Sequence, residues 1–372
     1  MRCAAITAVM LLAGCSKQDG SGEEGSTGIG PADTGEPTTG SMEGGHEPTT
    51  GADTREPKIL FVSNRSGAPQ LFWMNPDGTG QVPISSGTSM GTKPGWTRSG
   101  ANVLFTRDGD VWLLRPESGV ETNLTPTTVD ASDVFSAVGP DGAWFVYADL
   151  NMAGWSNLFR APTSGGVPSM LTSVTVSANY EVAVSPDGQQ LAVVARPMFA
   201  AVQFAVLDAV TGKITQDLLT PLGLTGVDSV GWSPDGAQLV FDGAVGDEDP
   251  GIFVVKPDAT GLLQLDTARQ VARPVWAPDG QRIAYYRAGP DENDSGWRVF
   301  VVGRDGGVPT FVSTEGWSCY LPDWSPDSTQ LVFQCGTDDQ VGENIHTVAA
   351  EGGPLTRLTA DAGSNQLAKW RP

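Results

Sequence analysis

Gly87-Thr88-Ser89-Met90-Gly91 has the Gly-x-Ser-x-Gly spacing that, on a sharp strand-to-helix turn, exposes a serine nucleophile. Here it lies between two short strand-like runs and no helical pattern follows, so the turn that would activate Ser89 is missing. A serine nucleophile also needs a base. The patterned part of the chain holds one histidine, His346, at a position occupied in sister segments by Phe159, Phe253 and Phe300. It reads as a packed strand residue, and one histidine cannot furnish a Ser-His-Asp triad or a His-built metal site. Asp291-Glu292-Asn293-Asp294-Ser295-Gly296 mimics the first half of a calcium loop, but Val302 stands where a bidentate glutamate belongs. A solvated acidic loop is the better reading. No metal and no cofactor is expected, calcium remaining as a minor alternative, and the inventory argues against an enzyme.

The charged residues point instead to binding. With 43 acidic and 22 basic residues the chain carries a formal charge of −21, which disfavours nucleic acid and anionic lipid surfaces as partners. Which charges face a common space depends on the elements that hold them.

Those elements repeat. Aligned on Trp-Ser-Pro-Asp-Gly, the first position of the slot falls at Trp96, Gly139, Val184, Trp232, Trp276, Trp324 and Trp370, at steps of 43 to 48 residues. Each repeat carries four apolar runs and two tight-turn signals. Pro presets the first turn residue, Asp bonds locally and Gly accepts positive φ. Four short antiparallel strands per repeat of this length describe a β-propeller blade. The chain ends on one first strand, Gln366–Trp370, and its ordered part opens with second, third and fourth strands lacking a first. The two ends together make one blade, so the fold predicted is all-β, a seven-bladed propeller closed by strand sharing. Six blades follow if the slot at Gly139 or Val184 is not a true blade.

In such a ring the first strands line the central channel. Residues three and one before the slot share a face, which gives Lys93, Glu181 and Arg273, then Asp323 and Lys369, as a mixed-charge channel mouth suited to a small polar ligand or a peptide. The loops after second and fourth strands share one face of the disc. They carry an acidic arc, Asp247-Glu248-Asp249, Asp291 to Asp294 and Asp338-Asp339, beside an apolar sector of Met152, Trp155, Met198 and Phe199. Exposed apolar patches of this kind mark partner sites.

Residues 1–14 read as a signal peptide, with one charge, a short apolar run and small residues ahead of Cys15. Leu12-Ala13-Gly14-Cys15 resembles the bacterial lipobox, which implies that Cys15 is lipidated. Ser16 in place of aspartate leans to the outer membrane, with the periplasmic or surface side left open. Residues 15–57, rich in Gly, Ser, Thr, Glu and Pro, have little to bury and read as a disordered tether, spanning on the order of 35 Å by random-coil scaling. Residues 58–372 form the propeller. Cys319 and Cys335 flank one turn, where hairpin pairing would oppose them, and an oxidising compartment permits a disulfide.

The Trp-Ser-Pro-Asp-Gly slot, with Leu124-Thr125, Leu171-Thr172 and Leu358-Thr359 closing repeats, resembles the TolB-type, WD-repeat-like propeller over about 85% of the chain. TolB proper is a periplasmic member of the Tol-Pal envelope machinery, with an α/β domain ahead of a six-bladed propeller. This chain has a tether in place of that domain, and one blade more. The expectation is a membrane-anchored envelope lipoprotein whose propeller binds an unidentified envelope protein or peptide. The alternatives are a propeller enzyme (lyase, lactonase or glycan-active) using channel carboxylates, and a structural spacer.

Overall fold

The computed structural model describes residues 56, 58–88, 93–126, 134–150, 156–172, 178–197, 202–268, 270–289, 296–314, 316–336, 343–361 and 363–372. Cys15, Ser89, Met152, Trp155, Met198, Phe199, Asp291, Asp294, Asp338 and Asp339 lie outside them. The chain divides into two units, 1–52 and 53–372, and the second is all-β.

Seven four-stranded antiparallel sheets form seven blades. Blade 1 is the shared one: Asn365–Trp370 is its inner strand, followed outward by Ile59–Ser63, Gln70–Met74 and Val82–Pro83. The inner strands of blades 2 to 7 are Gly95–Trp96, Val134–Val138, Ala178–Val184, Leu224–Trp232, Val271–Trp276 and Ser318–Trp324. Closure is dense. Ile59 pairs with Trp370, Leu60 with Lys369, Val62 with Gln366 and Ser63 with Asn365. The Arg371 amide then donates to the Lys58 carbonyl at 2.8 Å. Arg371 itself is 3% exposed; its Nε donates to the Gly100 carbonyl of blade 2 at 2.8 Å, and its Nη2 reaches Glu117 at 2.8 Å. The terminal residues therefore join blade 1 to its neighbour as well as completing it.

The slot tryptophans share a packing role at the seams, and two of them add an indole hydrogen bond. The indole of Trp232 donates to the Ala183 carbonyl of blade 4, and that of Trp324 to the Val275 carbonyl of blade 6, both at 3.1 Å. Each ring fills the seam with the preceding blade, as Trp232 does among Val194, Phe204 and Phe241. The two slots without tryptophan are true blades, and they answer each other. Blade 3 supplies Trp144 from its second strand (Trp144–Leu150), and this ring packs into the core shared with Val182, Leu191 and Val184 of blade 4. Any Cβ at position 139 would lie 2.3 Å from that indole, so glycine there makes room for the ring.

The repeat-closing Leu-Thr also has a cause. The hydroxyls of Ser85, Thr125, Thr172, Ser313 and Thr359 accept hydrogen bonds from third-strand amides of Leu71, Val111, Leu158, Val299 and Ile345, at 2.8 to 3.0 Å. They satisfy amides that the short outer strands leave unpaired. In blade 7, Cys319 lies opposite Cys335 with Cα atoms 4.2 Å apart and the two sulfurs bonded at 2.09 Å. The bridge ties the inner strand to the second strand on the side that packs against Ala284, Val299 and Val301 of blade 6.

Two outcomes test this packing. Replacing Arg371 by Ala removes a buried cation with its carbonyl bond and should destabilise the propeller by about 2 kcal/mol in denaturant titration. Substitution of Gly139 by Ala should cost a similar amount, about 2 kcal/mol, through displacement of the Trp144 ring. An unchanged midpoint for either would contradict the seam assigned to that residue.

Candidate functional site

Inner strands deliver charge to the channel mouth through local backbone distortions. In blades 1, 6 and 7 the register slips by a bulge, at Leu367, Arg273 and Leu321, each with φ between 50° and 57°. A bulge re-aims the side chain next to it, and a non-glycine residue held in the left-handed region is strained. In blade 6 this bulge carries a charge. Arg273 reaches Glu181 of blade 4, with Nη2 at 3.1 Å from Oε1. Lys93, just ahead of the blade 2 inner strand, reaches the same Oε1 at 2.7 Å.

Lys93, Glu181 and Arg273 thus meet, whereas Asp323 and Lys369 pair separately. Lys369 Nζ lies 2.9 Å from Asp323 Oδ1, and Asp323 Oδ2 accepts the Trp370 amide at 2.8 Å. The carboxylate of Asp323 therefore fastens blade 7 to the closing strand, and this pair is a seam tie more than a ligand contact. On the loop face, Asp247, Glu248 and Asp249 are exposed.

Two cations share one carboxylate, and the electrostatics follow. Burial works to raise the Glu181 carboxyl, but Arg273 and Lys93 outweigh it and hold it below the ordinary glutamate range. Burial would lower the Arg273 guanidinium, yet Glu181 more than compensates and raises it. Lys93 is left short: burial, aided by the charge of Arg273, holds its ammonium below the ordinary lysine value despite Glu181.

Asp242 belongs to the same neighbourhood and escaped the repeat-based reading, which considered only inner strands. It sits on the blade 5 second strand (Leu239–Val245), 2% exposed, where Oδ1 accepts the Ser229 amide at 2.8 Å and a short bond from the Ser229 hydroxyl. Burial pushes its carboxyl up to about 6, against the pull of the Ser229 hydroxyl. An acidic residue directly after the apolar run Leu239-Val240-Phe241, within the same strand, was the available signal. Tyr286, whose phenol is raised by burial although Arg273 opposes the shift, lies against Trp297 at 5.0 Å and Tyr320 at 6.1 Å between ring centres. His346 is 2% exposed; its Nδ1 lies 3.1 Å from the Asn344 carbonyl and its ring meets Trp317 edge-on.

Clefts of about 470 and 250 Å³ lie elsewhere, one beside Trp370, Arg371 and Pro372, the other among the turn residues Arg98, Pro140, Pro186 and Pro234. Among the described residues no three His, Cys, Asp or Glu side chains gather as a metal ion would require.

No family profile matches the chain. A curated relative, an uncharacterized protein of Agrobacterium fabrum, is 25% identical over 256 residues, covering 64% of this chain and 83% of its own. Among solved structures, TolB from Acinetobacter baumannii superposes with a TM-score of 0.54 at 15% identity, over 85% of this chain and 66% of its own. An oligogalacturonate lyase from Vibrio parahaemolyticus gives 0.57 at 13% identity, over 82% and 85%, and an oligogalacturonate lyase in complex with manganese gives 0.56 at 14%, over 80% and 84%.

Asp242 provides a pH test. Its folded pKa lies above the unfolded value, so its contribution to stability is fully present below about pH 4 and is lost as pH rises through about 6. Asp242→Asn keeps an oxygen for the Ser229 amide and removes that loss. The variant should gain stability relative to wild type between about pH 4 and pH 8, by on the order of 2 kcal/mol; a relative loss over that range would place the charged carboxylate among the stabilising groups. At these identities the likeness establishes architecture alone, and the chain is a seven-bladed β-propeller of TolB-type fold.

Proposed function

We propose that this is a lipid-anchored protein of the bacterial envelope whose propeller binds a protein or peptide segment at the channel mouth. The observation that carries it is the meeting of Lys93, Glu181 and Arg273, which come from separate blades and remain partly open to solvent. Their exposures, 50% for Lys93, 36% for Arg273 and 21% for Glu181, are those of charges a ligand can reach. The anchor rests on Leu12-Ala13-Gly14-Cys15, and on a segment of residues 15–57 poor in groups to bury. The chain enters the ring at Lys58, beside Trp370 on the side of the Ser-Pro-Asp-Gly turns. The loop carrying Asp247 to Asp249 follows a second strand and belongs to the opposite side.

A second reading has one specific support. Asp242, with its carboxyl near 6, stands close enough to the mouth to sense Arg273, and the fold is shared with oligogalacturonate lyases. In that reading the channel carboxylates do proton transfer on a glycan.

The experiments separate these. Cys15→Ser should move the protein from the membrane to the soluble fraction, and retention in the membrane would contradict the lipid anchor. A photo-crosslinker at position 247 in the native envelope should trap a discrete partner that Lys93→Ala/Arg273→Ala loses. Lyase or hydrolase activity that disappears in Glu181→Gln while the melting temperature is unchanged would instead establish the enzyme.

A further inference from the structure

We propose that Lys93 and Arg273 form a receptor for a ligand carboxylate, and that Glu181 is its resident occupant, displaced when the ligand arrives. The inference rests on the channel mouth being the binding site and names the chemistry recognised there.

Three observations carry it. The first is reach. Other ion pairs of the described residues run within a blade or between neighbours: Arg371 with Glu117, Arg196 with Asp228, Arg304 with Asp235, Arg282 with Glu351, Lys369 with Asp323. Those fasten seams. Lys93 of blade 2 and Arg273 of blade 6 instead each pass over an intervening blade to meet on blade 4. No seam is closed by that contact, so holding adjacent blades together does not account for it.

The second is stoichiometry. Both cations contact the same oxygen, Glu181 Oε1. One contacting carboxylate is shared by two cations through a single oxygen, while the buried Asp242 carboxyl also attracts Arg273. A ligand carboxylate that turns both oxygens to the cations engages them more fully than that one oxygen does. A guanidinium and an ammonium together suit a carboxylate, the former as a two-point fork and the latter as a movable point charge. Glu181 already shows that a carboxylate fits between them.

The third is the backbone. The same left-handed bulge occurs at Leu321 and Leu367, where it delivers an apolar side chain. At Arg273 it aims a guanidinium across the channel, beside the phenol of Tyr286. Glu181 sits on a strand paired without a register break, so it can swing toward solvent without disturbing the sheet.

Glu181→Ala empties the receptor, and acetate is the probe. Melting temperature in acetate against chloride at equal ionic strength should rise saturably for Glu181→Ala. The response should weaken at least about tenfold in apparent affinity when Lys93→Ala or Arg273→Ala is added. A folded Glu181→Ala protein with no saturable acetate response, or with one that survives both cation replacements, would overturn the assignment, as would rescue by inorganic phosphate but not by acetate. Should Glu181→Ala fail to fold, Glu181→Gln serves. Calorimetry with a triglutamyl peptide and with a galacturonate dimer tells a peptide carboxylate from a sugar carboxylate. At least one should bind Glu181→Gln about tenfold more tightly than wild type, because the competing charge is gone. Equal or weaker binding of both would overturn the displacement, while crosslinking at the loop face would still report independently on the binding scaffold.

Discussion

The pairing of 365–370 with 59–63 holds the disc together. Each blade is small, with an outer strand often only two residues long, and none buries its faces alone. The cores lie between blades: Phe61, Phe72, Val332 and Trp370 pack across the blade 7 to blade 1 seam, and Leu60, Leu71, Val103 and Leu114 across the next. Stability of this kind is a sum over neighbours. Without the last strand, the ring has an unpaired inner edge at one place, and an open edge is a site of fraying or of pairing with other chains. Arg65 reinforces the join, bonding Asn365 and pairing with Asp361 at 2.8 Å.

The functional geometry depends on that closure more directly than the fold does. Lys93, Glu181 and Arg273 touch only because blades 2, 4 and 6 are held at fixed angles around one axis. Contacts between neighbours tolerate a small change in ring curvature by sliding, whereas contacts across the channel accumulate the error of every seam between them. The seams are correspondingly well fastened. The indole-to-carbonyl bonds of Trp232 and Trp324 and the Trp144 ring in the blade 3 to blade 4 seam act at or near the inner edge, and the Cys319–Cys335 bridge braces blade 7 on its side toward blade 6.

Much of this was legible in the sequence, because a propeller writes its repeat in side chains that the geometry demands. The slot tryptophans, the Pro-Asp-Gly turns and the unpaired strand at the tail were enough to count seven blades and to foresee how they close. The column three residues before the slot led to Lys93, Glu181 and Arg273. Their convergence was not legible, because it depends on distances across the ring and on a bulge at Arg273 whose φ no repeat pattern specifies. Asp323 and Lys369 lie in the neighbouring column and looked equivalent to them, but adjacent blades brought the two together as a seam. Asp242 was missed because the channel was read from inner strands, although a second strand approaches the same space at its loop end. Degeneracy at Gly139 and Val184 made six blades an alternative; a tryptophan relocated along the chain, which a slot alignment cannot see, resolves it.

The most direct test is to end the chain at Ser364 and follow melting and limited proteolysis of the remainder. Ring closure by the terminal strand predicts a large drop in melting temperature, with early cleavage in 59–74, whose inner partner is gone. A truncated protein that melts and resists protease as the full chain does would contradict the closed ring, and with it every contact across the channel.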